Sequence, residues 1–232
     1  MGSALPEPPW WTPRKTTTRR SLSREAIVAA ALKILRAESI DAVSMRRVAA
    51  ELGTGAASLY AHVAHKEELL ELVFDEVVGE VQVPEPDPQG WQEQVRRLWT
   101  DSHAALARNG DIARVALGRI PLGPNALRIS EATTAILRAG GVPDQAVAWA
   151  VDVVGLYVAA NAVEGAVHVA NQKAGRDPGE YFAQVNAYMA ALPADRYPTM
   201  AALAPLLTSG GGDERFAFGL DLLISGLAAQ AG

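Results

Sequence analysis

The sequence has no cysteine and only four histidines, so it offers few residues for catalytic or metal sites. Without cysteine there is no disulfide framework and no thiolate nucleophile, and this fits a reducing, cytoplasmic setting. Serine-hydrolase, phosphate-loop and zinc-protease motifs are missing as well. Asp101 with His103, and Glu164 with His168, have a spacing suited to acid–base pairs, but it is equally typical of solvent-exposed helix pairs. We therefore predict a protein that is not an enzyme and needs no cofactor.

Aromatic residues are scarce, at 6%, and no long apolar run is free of polar residues. Residues 142–170 form the longest apolar stretch, but Asp152, Asn161 and Glu164 interrupt it, so we predict no contact with a membrane. The first fifteen residues lack the basic start and apolar run of a secretory signal. With 49% hydrophobic residues and a mean hydropathy of +0.06, the 232-residue chain is expected to form one large or two small globular domains.

Charges of both signs are present, but they are unevenly distributed around a net charge of −5. Residues 14–66 contain ten basic and four acidic residues, whereas residues 67–232 contain eleven basic and twenty-one acidic ones. A basic segment on an acidic protein is typical of a surface that contacts a polyanion. Residues 1–22 are rich in Pro, Thr and Arg and lack apolar periodicity. We predict a flexible basic N-terminal arm there, either lying along DNA or simply solvated.

Residues 23–68 contain three short helical patterns separated by tight breaks. Ser23 and Ser44 suit the N-caps of the first two helices, and Gly53 suits the sharp turn before the third, predicted over 56–63. A further helix in front of two closely joined ones is typical of a DNA-binding helix-turn-helix domain. His62 and His65 are spaced as metal ligands can be, but further ligands are missing from the pattern and we predict no metal site.

The rest of the chain, residues 69–232, is predicted to be a helical regulatory, ligand-binding and dimerisation domain. A fourth helix starts at Glu67 and runs into this body, and three prolines within residues 83–90 mark a linker. No useful strand alternation occurs, so the predicted fold class is all-α. Further helices are expected over 91–108, 111–118, 124–139, 143–171, 178–191 and 213–229, with a loop over 192–212.

An ordered set of motifs runs through residues 44–70: Ser44-Met45-Arg46-Arg47-Val48-Ala49, Leu52-Gly53 and Leu59-Tyr60-x-His62-Val63-x-x-Lys66-x-x-Leu69-Leu70. This set resembles the DNA-binding domain of the TetR family of bacterial repressors. The resemblance implies that Tyr60, His62 and Lys66 contact the DNA backbone and that Arg46 reaches base edges or phosphate. The alternative for Tyr60 is a half-buried packing role.

The reading helix departs from the tetracycline-type repressors, which carry glutamine, proline and tryptophan where this chain has Ala56, Ala57 and Ala61. Alanine can touch a thymine methyl group but cannot form bidentate hydrogen bonds. Direct base readout is therefore expected to depend on Arg46 and Ser58, supplemented by DNA shape. The predicted DNA-binding residues are Arg46, Ser44, Ala56, Ser58, Tyr60, His62 and Lys66.

The body resembles the tetracycline-repressor type of C-terminal domain at Trp91-Gln92, at residues 111–121 (DIARVALGRIP) and along the last helix. The resemblance implies a homodimer, with the last helix and the helix at 143–171 meeting a second copy. Two heads roughly 34–36 Å apart would favour a palindromic operator. The stripe predicted for the dimer interface, for which core packing is the alternative, is Phe216, Leu220, Leu223 and Leu227.

A small-molecule pocket is expected where aromatic and isolated polar residues share inward helix faces. The candidates are Trp99, His103, Leu106, Val115, Ile136, Trp149, Val153, Tyr157 and Asn161. The family's metal-binding histidine falls on Ala116, and its acidic partner falls near Val167, with Glu164 close. Because Ala116 cannot coordinate Mg²⁺, the effector is predicted to be an apolar or aromatic molecule and not a metal-chelated tetracycline.

These observations predict a dimeric repressor that binds a palindromic operator in the major groove and is released by a small molecule bound in the body. The alanine-rich reading helix leaves an alternative open. In that alternative the chain is a helical scaffold for a partner protein, and DNA binding is secondary or lost.

Overall fold

The computed structural model describes residues 22–231, which form eleven α-helices and no strand. The predicted all-α fold is confirmed. The predicted basic arm, residues 1–22, lies outside the described residues apart from Leu22. The helices are α1 (Arg24–Ala37), α2 (Met45–Glu51), α3 (Ala56–Leu59), α4 (Lys66–Val78), α5 (Trp91–Ala107), α6 (Arg114–Gly118), α7 (Pro124–Ala139), α8 (Asp144–Lys173), α9 (Pro178–Ala190), α10 (Pro198–Leu207) and α11 (Gly212–Ala228), with a 3-10 turn at Ile40–Ala42.

The first three helices form the head, residues 22–65. The Ser23 hydroxyl accepts a hydrogen bond from the Ala26 amide at 3.2 Å, and the Ser44 hydroxyl accepts one from the Arg47 amide at 3.2 Å, so both serines are N-caps. Gly53, between α2 and α3, has a φ of +63°, a conformation that favours glycine. The head buries an apolar cluster that includes Ile27, Ala31, Leu35, Val43, Val48, Leu59 and Val63.

Helix α4 joins the head to the body, residues 79–231. His65 caps it, because its Nδ1 accepts a hydrogen bond from the Glu68 amide at 3.1 Å, and the Glu68 carboxylate in turn accepts one from the Ala64 amide at 2.6 Å. Along its length α4 packs against α1, α5, α6 and α7. The buried residues of head and body form one cluster that passes through α4.

In the body, α8 lies against α5, α6 and α7, and α11 packs against α5 and α8. Helices α9 and α10 pack against each other, and α9 also touches α8. By length and composition α8 could cross a membrane, but the core helix of a soluble protein passes the same test. Its apolar residues are divided between the core and an outer face.

The predicted body helices begin and end within three residues of the observed ones, but two predictions are wrong. The predicted loop over 192–212 contains α10: Pro198 occupies the first turn, where a helix tolerates proline, and Pro205 comes only near the end. The helix predicted over 56–63 ends at Leu59. Beyond it the amides of His62 and Val63 both donate to the Leu59 carbonyl at 2.9 Å, so the chain continues as a tight turn.

Candidate DNA-binding surface and body cavity

The segment around α3 alternates buried and accessible side chains. Leu59 and Val63 are fully buried in the head, whereas Tyr60, which follows Leu59 directly, is 55% exposed. His62 is half-buried, and its carbonyl accepts a hydrogen bond from the Arg24 guanidinium at 3.3 Å. Buried Leu59 and Val63 thus fix the backbone, while the Tyr60 hydroxyl remains accessible to a phosphate.

The arginines of α2 differ in how far their charge is already neutralised. Arg47 donates to Glu38 at 2.6 Å, whereas Arg46 is exposed and has no ion pair within residues 22–231. On the same head, Lys33 pairs with Glu51 at 2.5 Å and lowers the pKa of that carboxyl. Arg46 is therefore the α2 cation with its donors available to another molecule.

The remaining predicted DNA-binding residues lie on the helix starts. Ser44 is engaged as the cap of α2, Ala56 is half-buried at the start of α3, and Ser58 is exposed. Lys66 is half-buried at the start of α4. All seven predicted residues lie between Ser44, the cap of α2, and Lys66, the first residue of α4, with Tyr60 and His62 in the turn after α3, and their contacts with DNA stay a prediction.

Sequence reasoning missed Arg24, which is exposed and adjoins His62 and, at 3.9 Å, Glu68. In the sequence Arg24 is simply the residue after an N-cap. Only the packing of α1 beside the end of α3 brings its guanidinium to the segment of Tyr60 and His62, so no local pattern could have indicated it.

Polar contacts join the head to α6 at the junction with the body. Arg114 donates to Asp41 at 2.9 Å and to Asp111 at 3.1 Å. Asp111 also accepts from the Ile40 amide at 2.8 Å. The hydrogen bond and charge of Arg114 hold the pKa of the Asp41 carboxyl below its usual value. One turn beyond, Arg119 pairs with Glu71 of α4 at 2.6 Å.

A cavity of about 540 Å³ lies among α4, α5, α6, α7 and α8. This volume is within the range of small-molecule sites, and the wall is mostly apolar with a few polar groups. The polar groups are Ser102, Ser130, Asp152 and Arg119. The apolar lining includes Phe74 and Val78 of α4, Leu106, Ala116, Leu117, Ile120, Ala126, Ile129, Ala148, Val151, Gly155, Leu156, Val158 and Ala159.

Of the nine residues predicted to line a ligand pocket, Leu106 lines this cavity. Trp99 and Ile136 are buried in the core, and Val115 lines a smaller notch at the junction of head and body. Trp149 is 66% exposed, and Val153 is also on the outside of α8. Residues at i, i+4 and i+8 are rotated by about 40° per step around a helix. The residues of the stripe that starts at Trp149 therefore point in different directions and cannot all line one cavity wall.

Of the other three predicted pocket residues, His103 and Tyr157 pack against α11, and Asn161 lies one turn beyond Tyr157 on α8. The His103 ring stacks on Phe216 with centroids 4.1 Å apart, and burial lowers the pKa of His103. The Tyr157 hydroxyl donates to the Phe216 carbonyl at 3.0 Å. Asn161 donates to the Tyr157 carbonyl at 2.8 Å. These aromatic and polar side chains fill space between helices, whereas the small residues of α8 leave the cavity open.

The stripe predicted for the dimer interface needs correction. Phe216, Leu220 and Leu227 are buried in the chain's own core, and Leu223 is half-buried against it. The outer side of α11 instead carries Phe218, 65% exposed, and Leu222, 59% exposed. The periodicity located an apolar stripe, but a helix that is apolar on two sides does not reveal which side faces its own core.

The trihelical head with its exposed polar reading segment, followed by a helical body with a cavity, defines a helix-turn-helix transcription regulator. Residues 27–73 match the family model described as "Bacterial regulatory proteins, tetR family", and residues 83–231 match "Tetracyclin repressor-like, C-terminal domain". The chain therefore belongs to the TetR family of transcriptional regulators, which confirms the resemblance seen in the head.

Two relatives match nearly the whole chain. The HTH-type transcriptional repressor DrrR1 of Streptomyces coeruleorubidus is 33% identical over 94% of this chain and 82% of its own length. An HTH-type transcriptional regulator of Saccharopolyspora erythraea is 32% identical over 96% and 92%, respectively. The crystal structure of ActR from Streptomyces coelicolor in complex with actinorhodin matches with a TM-score of 0.84 and 43% identity, over 92% of this chain and 98% of that one.

Proposed function

We propose that this TetR-family repressor works as a homodimer that binds a palindromic operator and leaves it when a small molecule fills the body cavity. One observation supports ligand control above all. Helix α4 lines the cavity with Phe74 and Val78, and the same helix begins at Lys66, beside the reading segment. A molecule in the cavity thus touches the helix that carries the head.

Release of DNA requires a coupling free energy between the two sites. A ligand weakens DNA binding only if it binds better to a conformation in which the heads no longer fit the grooves. Helix α6 lines the cavity through Ala116 and Leu117, and flanking Arg114 and Arg119 pair with Asp41 and Glu71. A ligand that displaces α6 strains both pairs and draws the head and α4 with it.

The proposed ligand is a largely apolar or aromatic molecule with a few hydrogen-bonding groups. The cavity wall is apolar, and Ser102, Ser130, Asp152 and Arg119 are its polar contacts. Ala116 lines the cavity at the position of the family's metal-binding histidine, and a methyl group cannot coordinate a metal. The complex of ActR with actinorhodin supports an aromatic effector over a metal-chelated tetracycline.

On DNA, we assign Tyr60, His62 and Lys66 to phosphates, and Arg46 with Ser58 to base edges in the major groove. A bacterial repressor that binds DNA is expected to act in the cytoplasm. A single small head buries too little surface for tight specific binding, so two heads are needed. The outward apolar side chains of α8 and α11, among them Trp149, Phe218 and Leu222, supply the proposed dimer face. Their exposure on a lone chain favours association.

The direct test is a gel-shift titration with a duplex from the gene's own upstream region, with and without actinorhodin. We expect salt-sensitive retardation that actinorhodin reverses. Retardation that neither actinorhodin nor smaller aromatic molecules reverse would contradict an aromatic effector. If an intact dimer causes no retardation even at low salt, the scaffold alternative becomes the better account.

The dimer face has a separate test by light scattering. Leu222→Arg places a charge on the proposed interface and is expected to shift the protein towards monomer. Gln230→Arg, at an exposed position near the end of the chain, serves as the control. If Leu222→Arg remains dimeric, the α11 face is wrongly assigned.

A further inference from the structure

Asp75 of α4 is a buried carboxylate held by the start of α7. It is 8% exposed and has no ion pair within residues 22–231. Its Oδ1 accepts hydrogen bonds from the backbone amides of Asn125 and Ala126, each at 3.0 Å. Its Oδ2 accepts a third from the Asn125 side-chain amide at 3.1 Å.

These bonds replace an N-cap that α7 lacks. The N-cap position is Gly123, which has no side chain to cap the helix, and Pro124 follows it. The first amides of a helix have no partner within the helix and carry partial positive charge, so they favour an anionic acceptor. A Cβ on Gly123 would overlap the Asp75 carboxylate. The turn before α7 is therefore shaped to admit a carboxylate from another helix.

This contact adjoins the wall of the cavity, although Asp75 itself is not a lining residue. Phe74 precedes Asp75 and Val78 follows it by one turn, and both line the cavity. On the opposite side, the Ala126 amide donates a hydrogen bond to Asp75. Ala126 also lines the cavity, as does Ile129. A bound molecule would thus press on α4 and α7 on either side of one carboxylate.

The two ends of α4 are held differently. Near its C-terminal end, Arg128 of α7 donates to the carbonyls of Gly79 and Val81 at 3.3 and 2.9 Å, which adds to the Asp75 contact. Nearer the head, the ion pair of Glu71 with Arg119 is about half exposed on both sides, and such pairs contribute little. The direct polar contacts of α4 with the body are therefore strongest at the Asp75 end, whereas the end near Lys66 is held by the exposed Glu71–Arg119 pair and, through the head, by the contacts of Asp41 and Ile40 with the α6 region.

We propose that Asp75 is the positioning residue about which α4 turns when the cavity is filled, so that the response of α4 to a bound molecule depends on this contact. The inference rests on the proposed ligand control of DNA binding. Without the contact, only Arg128 and apolar packing join α4 to α7, and a filled cavity displaces the head less.

A tethered side chain can stand in for an unidentified ligand. Gly155 lines the cavity from α8, and a Cβ there meets no atom within 4 Å. The experiment measures affinity for the upstream duplex by fluorescence anisotropy in the wild type, Gly155→Phe, Asp75→Asn and the double variant. Gly155→Ala controls for loss of the glycine, and Glu76→Gln controls for loss of an exposed charge next to Asp75.

In the wild-type background, Gly155→Phe is expected to weaken DNA binding about tenfold, within the usual range of coupling between sites. In the Asp75→Asn background the same change is expected to cost less than about twofold. If Asp75 has only a structural role, Asp75→Asn lowers the melting temperature but Gly155→Phe still weakens DNA binding tenfold in that background. That result would overturn the proposal. If Gly155→Phe does nothing in the wild type, ligand control itself fails, which is a distinct outcome that removes this inference with it.

A milder variant covers the case in which Asp75→Asn does not fold. Asn125→Ala removes only the side-chain donor and leaves both backbone amides on the carboxylate. It is expected to reduce the effect of Gly155→Phe to about threefold, and an undiminished effect would count against the proposal.

Discussion

In the head, the residues proposed to touch DNA lie beside buried ones on the same short segment. Leu59 and Val63 are buried, and Tyr60 and His62 stand next to them in the chain. In the body, the proposed ligand site is instead a space between five helices, and small residues such as Ala126 of α7 and Gly155 of α8 form part of its lining.

This difference decides what a sequence can reveal. A displayed side chain must keep a fixed spacing from the core residues that hold it, and that spacing is visible as a motif. A cavity is defined by side chains that fail to meet across several helices, and one helix pattern contains no information on its neighbours. The head is therefore readable from the sequence, and the cavity requires the packed structure.

The largest expected effect is the difference in unfolding free energy between truncating a core side chain and truncating a side chain of the cavity wall. Leu59→Ala removes a fully buried side chain of the head and is expected to cost about 2–5 kcal/mol of unfolding free energy, with loss of DNA binding. Leu156→Ala removes a partly exposed cavity-lining side chain and is expected to cost less than about 1 kcal/mol. Urea unfolding measures both, and equal losses would break the comparison between the two regions.

The features that could be predicted from the sequence are likewise those that depend on neighbouring residues in the chain. The caps Ser23 and Ser44, the turn at Gly53 and most helix bounds could be predicted because each depends on nearby residues. The search for a pocket relied on aromatic residues, and in this body Trp99 and Tyr157 fill the core and the contact with α11. Small residues such as Gly155 carry no local signal. The side of α11 that faces outward could not be predicted either, because both sides are apolar.

The next effect tests direct readout in the head. Arg46→Ala is expected to cost about 1–3 kcal/mol of DNA-binding free energy and to relax the preference for one base pair. Arg47→Ala is the matched control, since Arg47 is adjacent but already paired with Glu38. Anisotropy titrations against duplexes with single substitutions measure the preference. If Arg46→Ala weakens all duplexes equally, Arg46 is a phosphate contact.

Lys66→Ala is expected to have a smaller and sequence-independent effect. Removing one phosphate contact weakens binding to all duplexes and lowers the slope of log affinity against log salt by about 1. Because Lys66 also adds to the field that lowers the pKa of Asp41, after the larger contribution of Arg114, Lys66→Arg controls for loss of charge at the junction. An unchanged salt slope for Lys66→Ala would remove it from the DNA surface.

The smallest effect concerns His103, predicted from sequence to bind ligand and found stacked on Phe216. Burial lowers the pKa of His103, and the charge of Asp213 only partly opposes this. The unfolded chain thus takes up the proton at a higher pH than the folded one. This contribution to stability is complete above the ordinary pKa of about 6.5 and is lost as the pH falls through that value towards the folded pKa. His103→Phe keeps a ring against Phe216 and is expected to reduce the drop in melting temperature between pH 7 and pH 5 by a few degrees at most, since His103 is only half-buried. If the drop in melting temperature is as large as in the wild type, a titratable group other than His103 causes the acid sensitivity of the body.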